Sequence, residues 1–178
     1  MQLNRLQFWP RHEKIPPCDV RNAMENETQK TRSALQVRVM SSPKEREAAT
    51  AYRQKYFFDR VPIQDPYLWT FDREDHIHFM LYQSEKIIGY AHIQCWPNHR
   101  AALRIIVIDE PLRGQGFGRF FLLSCEERLK ERGVKCLHTE SRPDTAQFYT
   151  HLGYIEMPFD DPEDGPTDPR DIPMGKKL

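Results

Sequence analysis

The residues best placed to do chemistry form one short run, Arg113-Gly114-Gln115-Gly116-Phe117-Gly118-Arg119, which follows the apolar stretch Ile105 to Ile108. Alternate glycines let a backbone turn sharply and bring its N–H groups close to a ligand. A helix starting there aims the positive end of its dipole at the same point. Phosphate is the ligand such a turn suits. A triphosphate loop would need Lys-Ser or Lys-Thr after its last glycine, and Arg119-Phe120 stands there instead. A dinucleotide turn would use Glu140, 22 residues past Gly118, on a ribose, but the glycines are spaced GxGxG rather than GxGxxG. A turn serving only to start a helix is the remaining structural reading, and three alternate glycines would then carry an entropic cost that one would avoid.

The elements that must position this run are legible in outline. Leu35, Val37 and Val39 alternate with polar neighbours, as in a half-buried strand. Pro43 opens a helix expected to run over Lys44 to Phe58, and Pro62 to Trp69 is an irregular or short helical connection. His76 to Tyr82 and Ile87 to Trp96 read as a hairpin around Ser84-Glu85-Lys86. Ala101 to Ile108, nearly unbroken in apolar residues, is expected to be a central strand covered on both faces, completing three antiparallel strands in a row. Phe117, Phe121, Cys125 and Leu129 recur at i, i+4, i+8 and i+12, one face of a helix that Gly133 ends. Val134 to Glu140 is a further strand, Pro143 to Leu152 a short helix, Tyr154 to Phe159 a strand, and Ile172 to Met174 an edge strand. The domain therefore spans 35–178. Residues 1–34, rich in charge and amide with Pro10, Pro16 and Pro17, form a flexible lead or linker.

Arg113-x-x-Gly116-x-Gly118 resembles the acyl-CoA pyrophosphate loop of the GCN5-related N-acetyltransferase (GNAT) superfamily. Ala146-Gln147-Phe148-Tyr149-Thr150-His151-Leu152-Gly153-Tyr154, some 30 residues downstream, resembles that family's A-x-x-FY-x-x-x-G-F/Y helix and strand. The resemblance implies an α/β (α+β) fold, with a mixed, mostly antiparallel sheet flanked by helices and a splayed central strand pair that binds acyl-CoA. It implies that the backbone of Ile106, Val107 and Ile108 pairs with the pantetheine arm. Arg113, Gly114, Gln115, Gly116, Phe117, Gly118 and Arg119 would hold the pyrophosphate, chiefly through N–H groups. Tyr149 would protonate the departing thiolate, and a backbone N–H near Ile106 would meet the oxyanion of a tetrahedral intermediate. Acetyl-CoA is then the co-substrate, with no metal, and the acceptor is an amine-bearing small molecule or protein. A phenol with a pKa of about 10 stays protonated at neutral pH and can donate to a transient thiolate, whatever the family.

No glutamate stands on the central strand, so the general base is sought nearby. Glu140, His138 two residues before it on the same strand face, and His92 are the candidates, and an ordered water is the alternative. Between Glu156 and Asp171 seven acids face the single base Arg170, which reads either as a solvated loop or as a lure for a cationic amine. Arg60, Tyr67 and Trp69 would border the same side. Across 178 residues 26 Lys and Arg balance 26 Asp and Glu, which argues against a nucleic-acid or acidic-membrane binder. No long apolar run suggests a membrane span, and four unpaired cysteines and seven scattered histidines signal neither disulfides nor a metal site. A reduced, cytoplasmic setting is expected. Phe8 and Trp9 leave room for a homodimer. A non-catalytic acyl-CoA-binding regulatory module is the competing function.

Overall fold

The computed structural model describes residues 35–59, 63–162 and 168–178; the lead at 1–34, Arg60, Glu163 and Asp164 lie outside them. β1 (Leu35–Val39) pairs antiparallel with β2 (His76–Gln83), β2 with β3 (Lys86–Trp96), and β3 with β4 (Arg100–Ile108). Between β1 and β2 lie α1 (Pro43–Arg53), a π-helical turn (Gln54–Phe58) and a 3₁₀ turn (Leu68–Asp72). After β4 come α2 (Phe117–Glu131), β5 (Cys136–Ser141), α3 (Ala146–Thr150), β6 (Ile155–Glu156) and β7 (Ile172–Lys177). The sheet order is β1-β2-β3-β4-β5-β7-β6, and only β4 and β5 run parallel. The mixed, mostly antiparallel sheet expected from the sequence is present.

Two apolar layers hold helices to opposite faces. Phe117, Phe121, Cys125 and Leu129 of α2 bury against Phe79, Leu81, Ala91, Ile93, Ala101 and Leu103, so the i, i+4 stripe is the core face. Ala49 and Tyr52 of α1 pack on Met80, Tyr82, Tyr90 and Val107 from the other side. Glu126, buried within α2, accepts from the Tyr154 hydroxyl at 3.0 Å and from Lys176 Nζ at 2.5 Å. That network ties α2 to β7.

Several expectations are corrected. The strand after Pro97-Asn98-His99 is not covered throughout: Arg104, Ile105 and Ile106 are half-buried, because β5 leaves β4 after Ala102↔His138. β7 is no edge strand, since it lies between β5 and β6, and β6 is only two residues long where Tyr154 to Phe159 was expected. A run of apolar residues reveals neither how far a strand pairs nor which neighbour it finds. The first helix changes to a π-helical turn at Gln54, and the helix expected over Pro143 to Leu152 is reduced to Ala146–Thr150.

A capping box fixes where α1 starts. Ser42 accepts from the Glu45 N–H, and Glu45 Oε2 accepts from the Ser41 and Ser42 N–H groups at 2.9 and 3.0 Å. Tyr82 donates to Glu45 Oε1 at 2.8 Å. Burial opposes the charge of this carboxylate, but these hydrogen bonds prevail and lower its pKa to about 2. Glu45 therefore stabilises the fold fully above its unfolded pKa of about 4.3, and this stabilisation is lost as pH falls toward 2. Glu45→Ala is expected to cost about 1–2 kcal/mol in urea denaturation at pH 7. Glu45→Gln should lose less stability than the wild type between pH 4.5 and pH 2.

Candidate active site

The pairing of β3 with β4 contains one irregularity. Ile93 opposes Leu103 and His92 opposes Ile105, so Arg104 is an extra residue in β4. Ahead of this bulge Ala101 and Leu103 pack toward α2; beyond it Ile106 and Ile108 do so, and Ile105 and Val107 turn toward α1. The bulge bends β4 where β5 departs, as bulges increase local twist. Thr139 Oγ1 donates to Leu103 O at 3.0 Å across the last point of contact. From Arg104 onward no strand among the described residues pairs with β4 on its β5 side, so Ile106, Val107 and Ile108 line an open wedge.

The glycine turn stands at the end of that wedge. Arg113 Nε donates to Ile108 O at 3.1 Å, which holds the turn to β4. Gly114 and Gly116 have φ of +75° and +86°, a region where a side chain is strained. Gly116 caps α2 with no side-chain bond, and its carbonyl accepts from the Phe120 N–H, leaving the N–H groups of the first helical residues for a ligand. Gln115 donates to Pro111 O at 3.0 Å, and Arg113, Gln115 and Arg119 are exposed. Phe117 is instead a buried core residue, so only its backbone is placed to serve the turn. A pantetheine-like strand partner followed by a pyrophosphate fits this combination of open β4 edge and unspent helix N–H groups.

Tyr149 reaches the same region from α3. A methyl group built on Gly118 would lie 3.6 Å from the Phe148 ring, so the two sequence motifs meet. Tyr149 is 7% exposed and packs edge-on to Phe148 and Tyr154. Burial pushes its phenol up to about 12, while a hydrogen bond with Thr139 acts in the opposite direction. Thr139, which the sequence did not single out, thus touches both Leu103 at the wedge apex and the Tyr149 hydroxyl. Its signal was slight: one polar residue facing inward between His138 and Glu140.

Glu140 and His92 both lie within electrostatic range of Arg104. Glu140 is half-buried on the part of β5 that has left β4 but still pairs with β7, and burial, then Asp171 and Asp161, raise its pKa against the pull of Arg104. His92 is 4% exposed, and its pKa is held well below the ordinary value by burial, His78, Arg53, His76 and Arg104. His138 is packed between Trp96 and Phe159, accepts from Arg100 Nε at 3.3 Å, and is shifted down by burial and Arg100. Tyr67 and Trp69 are exposed, with Trp69 edge-on to His76.

Charge pairs missing from the sequence reading organise this side. Arg53 and Asp65 form a buried bidentate ion pair, with Arg53 Nη2 donating to Asp65 Oδ1 at 3.0 Å. Arg104 bridges Gln94 Oε1 and both oxygens of Asp161. Asp168 is paired with Arg170. Part of the acidic run is therefore neutralised within the chain, and its net field is weaker than its composition suggested. Cys125 is a core residue, as its apolar setting predicted, and Cys95 is half-buried. Among the described residues no group of three or more His, Cys, Asp or Glu is placed to hold a metal ion, and no helix is long and apolar enough to cross a membrane.

A family model described as Acetyltransferase (GNAT) family matches residues 44–154. A 56-residue segment is 39% identical to N-alpha-acetyltransferase 80 of Mus musculus, covering 32% of this chain and 18% of that protein. The chain spans between 18% and 59% of the length of the first curated relatives it matches. The fold is similar to the ribosomal-protein-S18-alanine N-acetyltransferase of Escherichia coli, with a TM-score of 0.61 at 24% identity over 80% of this chain and 93% of that one. It is also similar to the PaiA N-acetyltransferase of Thermoplasma acidophilum in complex with coenzyme A, with a TM-score of 0.56 at 16% identity over 81% and 99%.

Gly116 and Gly118 give a paired test of the turn. Gly116→Ala should weaken CoA binding in calorimetry and cost about 1 kcal/mol, because its φ is positive. Gly118→Ala makes only ordinary contact with Phe148 and should change stability by less than about 0.5 kcal/mol.

Proposed function

The chain belongs to the acetyltransferase (GNAT) family, and from that membership we propose that it is an N-acetyltransferase moving an acetyl group directly from acetyl-CoA to a primary amine. The observation that carries this reading is the convergence of three features: the wedge beyond Leu103, the glycine turn held to Ile108, and the Tyr149 hydroxyl against Thr139. Acetyl-CoA supplies the activated acyl group. Ile106, Val107 and Ile108 orient it by strand-like pairing, and the N–H groups from Gly114 through Arg119 hold its pyrophosphate. Tyr149 stays protonated at neutral pH and gives its proton to the sulfur as the thioester opens. Its burial makes the phenol a weaker acid.

The acceptor arrives as an ammonium ion and must lose a proton before it attacks. Glu140 and His92, both under the electrostatic influence of Arg104, are the two groups to which this reading gives that proton. A cationic acceptor is favoured by Glu140 and Asp171, although the Arg104–Asp161 and Arg170–Asp168 pairs reduce the field they share.

Release of free CoA from acetyl-CoA on a panel of amines tests the reading. Turnover on at least one amine is expected, and Tyr149→Phe should lower kcat by about 10²–10⁴ at saturating acetyl-CoA. Binding without CoA release on any amine would make the protein an acyl-CoA-binding module instead. Full turnover by Tyr149→Phe would remove the general acid.

A further inference from the structure

A chain of buried side chains runs through the α1 side of the sheet from His92 to the surface. His92 on β3 lies between Arg53 of α1, His76 and His78 of β2, and Arg104 of β4. Arg53 Nη1 approaches His92 Nδ1 at 3.4 Å, and His92 Nε2 lies 2.8 Å from His76 Nδ1. A guanidinium only donates, so His92 Nδ1 accepts and its proton is on Nε2. His92 Nε2–H then donates to His76 Nδ1, which places the His76 proton on Nε2. That nitrogen lies 3.8 Å from Asp75 Oδ2, longer than a hydrogen bond, and the Asp75 side chain, 35% exposed, also accepts from Arg73 Nε and Nη2 at 2.9 and 3.2 Å. The Arg53 and His92 donors point the same way, toward His76 and the Asp75 side of the sheet.

The neighbouring His78 is fixed separately. Its Nε2 must donate to Thr70 O at 3.1 Å, so its Nδ1 accepts from the Tyr90 hydroxyl at 2.8 Å. Both of its nitrogens are spent, and it stacks on His92 at 4.5 Å without joining the chain. His78 packs as a neutral ring, its pKa lowered to about 4 chiefly by burial.

We propose that His76 and Asp75 form a proton outlet for His92, so that the acceptor's ammonium proton leaves the site through His92, His76 and Asp75 to bulk water. This rests on the acyl-transfer reading above. Burial and the surrounding cations disfavour an imidazolium at His92, so a base there must release one proton as it takes another. When the acceptor nitrogen displaces the long Arg53 contact and gives a proton to His92 Nδ1, the Nε2 proton passes to His76 Nδ1. The His76 Nε2 proton then passes to Asp75 Oδ2 as the two close to hydrogen-bond length and the 3.2 Å Arg73 contact opens, and Asp75 returns it to water. Both rings end neutral in the other tautomer, and rotation or back-exchange resets them. The acceptor nitrogen loses two protons in all. The outlet carries the first, and the second replaces the one that Tyr149 gives to sulfur. His92 is the catalytic residue in this scheme, and His76 and Asp75 act through it.

The ring nitrogens report on the chain without turnover. In ¹⁵N NMR of the wild-type protein at pH 7, His92 and His76 should both be neutral and protonated on Nε2. A charged His92, or a proton on its Nδ1, overturns the outlet. In CoA-release kinetics His76→Gln keeps an oxygen for the His92 Nε2–H but cannot pass a proton on. It should lower kcat at least about tenfold with the KM for acetyl-CoA unchanged. The wild-type dependence of kcat on deuterium fraction should be bowed, from several protons moving together, and should become linear in the variant. Asp75→Asn, a surface change that spares the buried rings, should act in the same direction to a smaller extent. Wild-type kcat and a bowed dependence in Asp75→Asn and His76→Gln overturn the proposal, as does a loss in His76→Gln that follows melting temperature and KM alone. Failure of the wild type to release CoA from any amine strikes the acyl-transfer reading, whereas the ring tautomers judge the outlet.

Discussion

The separation of β5 from β4 after three paired residues is the constraint on which the other features depend. Backbone N–H and C=O groups left without a partner beside a core are costly, so a central strand stays open only where something else meets it. Thr139 meets one such group, Leu103 O, at the apex. Beyond the apex, the Arg104 bulge turns β4 so that Ile105 and Val107 pack under α1 while Ile106 and Ile108 pack toward α2. Burial on both faces with an open edge between them is what an extended ligand needs in order to behave as a strand.

The features legible in the sequence were local ones. The α2 stripe follows from a spacing of four, the turn from glycines that must adopt positive φ, and the meander of β2, β3 and β4 from a short polar turn between apolar runs. The doubled motif brought Tyr149 and the turn together by resemblance, and the Phe148 contact with Gly118 is the packing that realises it. What escaped were pairings between distant residues. Nothing near Arg53 points to Asp65, nothing near Arg104 points to Asp161, and no periodicity marks Arg104 as the extra residue in β4. The position of β7 inside the sheet was hidden for the same reason, since strand order is set by long-range register.

The surroundings of His92 combine charge with burial. The Arg53–Asp65 pair is almost wholly buried, a situation in which desolvation can exceed the attraction between the charges. Such a pair is weak support for stability and is better understood as fixing orientation. Arg53 also sets the tautomer of His92, and the Tyr67 N–H donates to Asp65 at 2.8 Å, so one ion pair positions both a ring of the sheet and the loop that borders the cleft. Arg104 acts similarly for Gln94 and the 160s loop.

Glu126 gives α2 a mechanical role. The start of this helix lies against the end of β4 and α3, while its middle is tied through Glu126 to Lys176 on β7. The sheet resembles two plates, β1 to β4 and β5-β7-β6, joined along a short seam of three residue pairs, and α2 is a strut from one plate to the other. A load applied at the tip of the strut, where its first N–H groups point outward, is transmitted to the far plate and bears on the angle between the two.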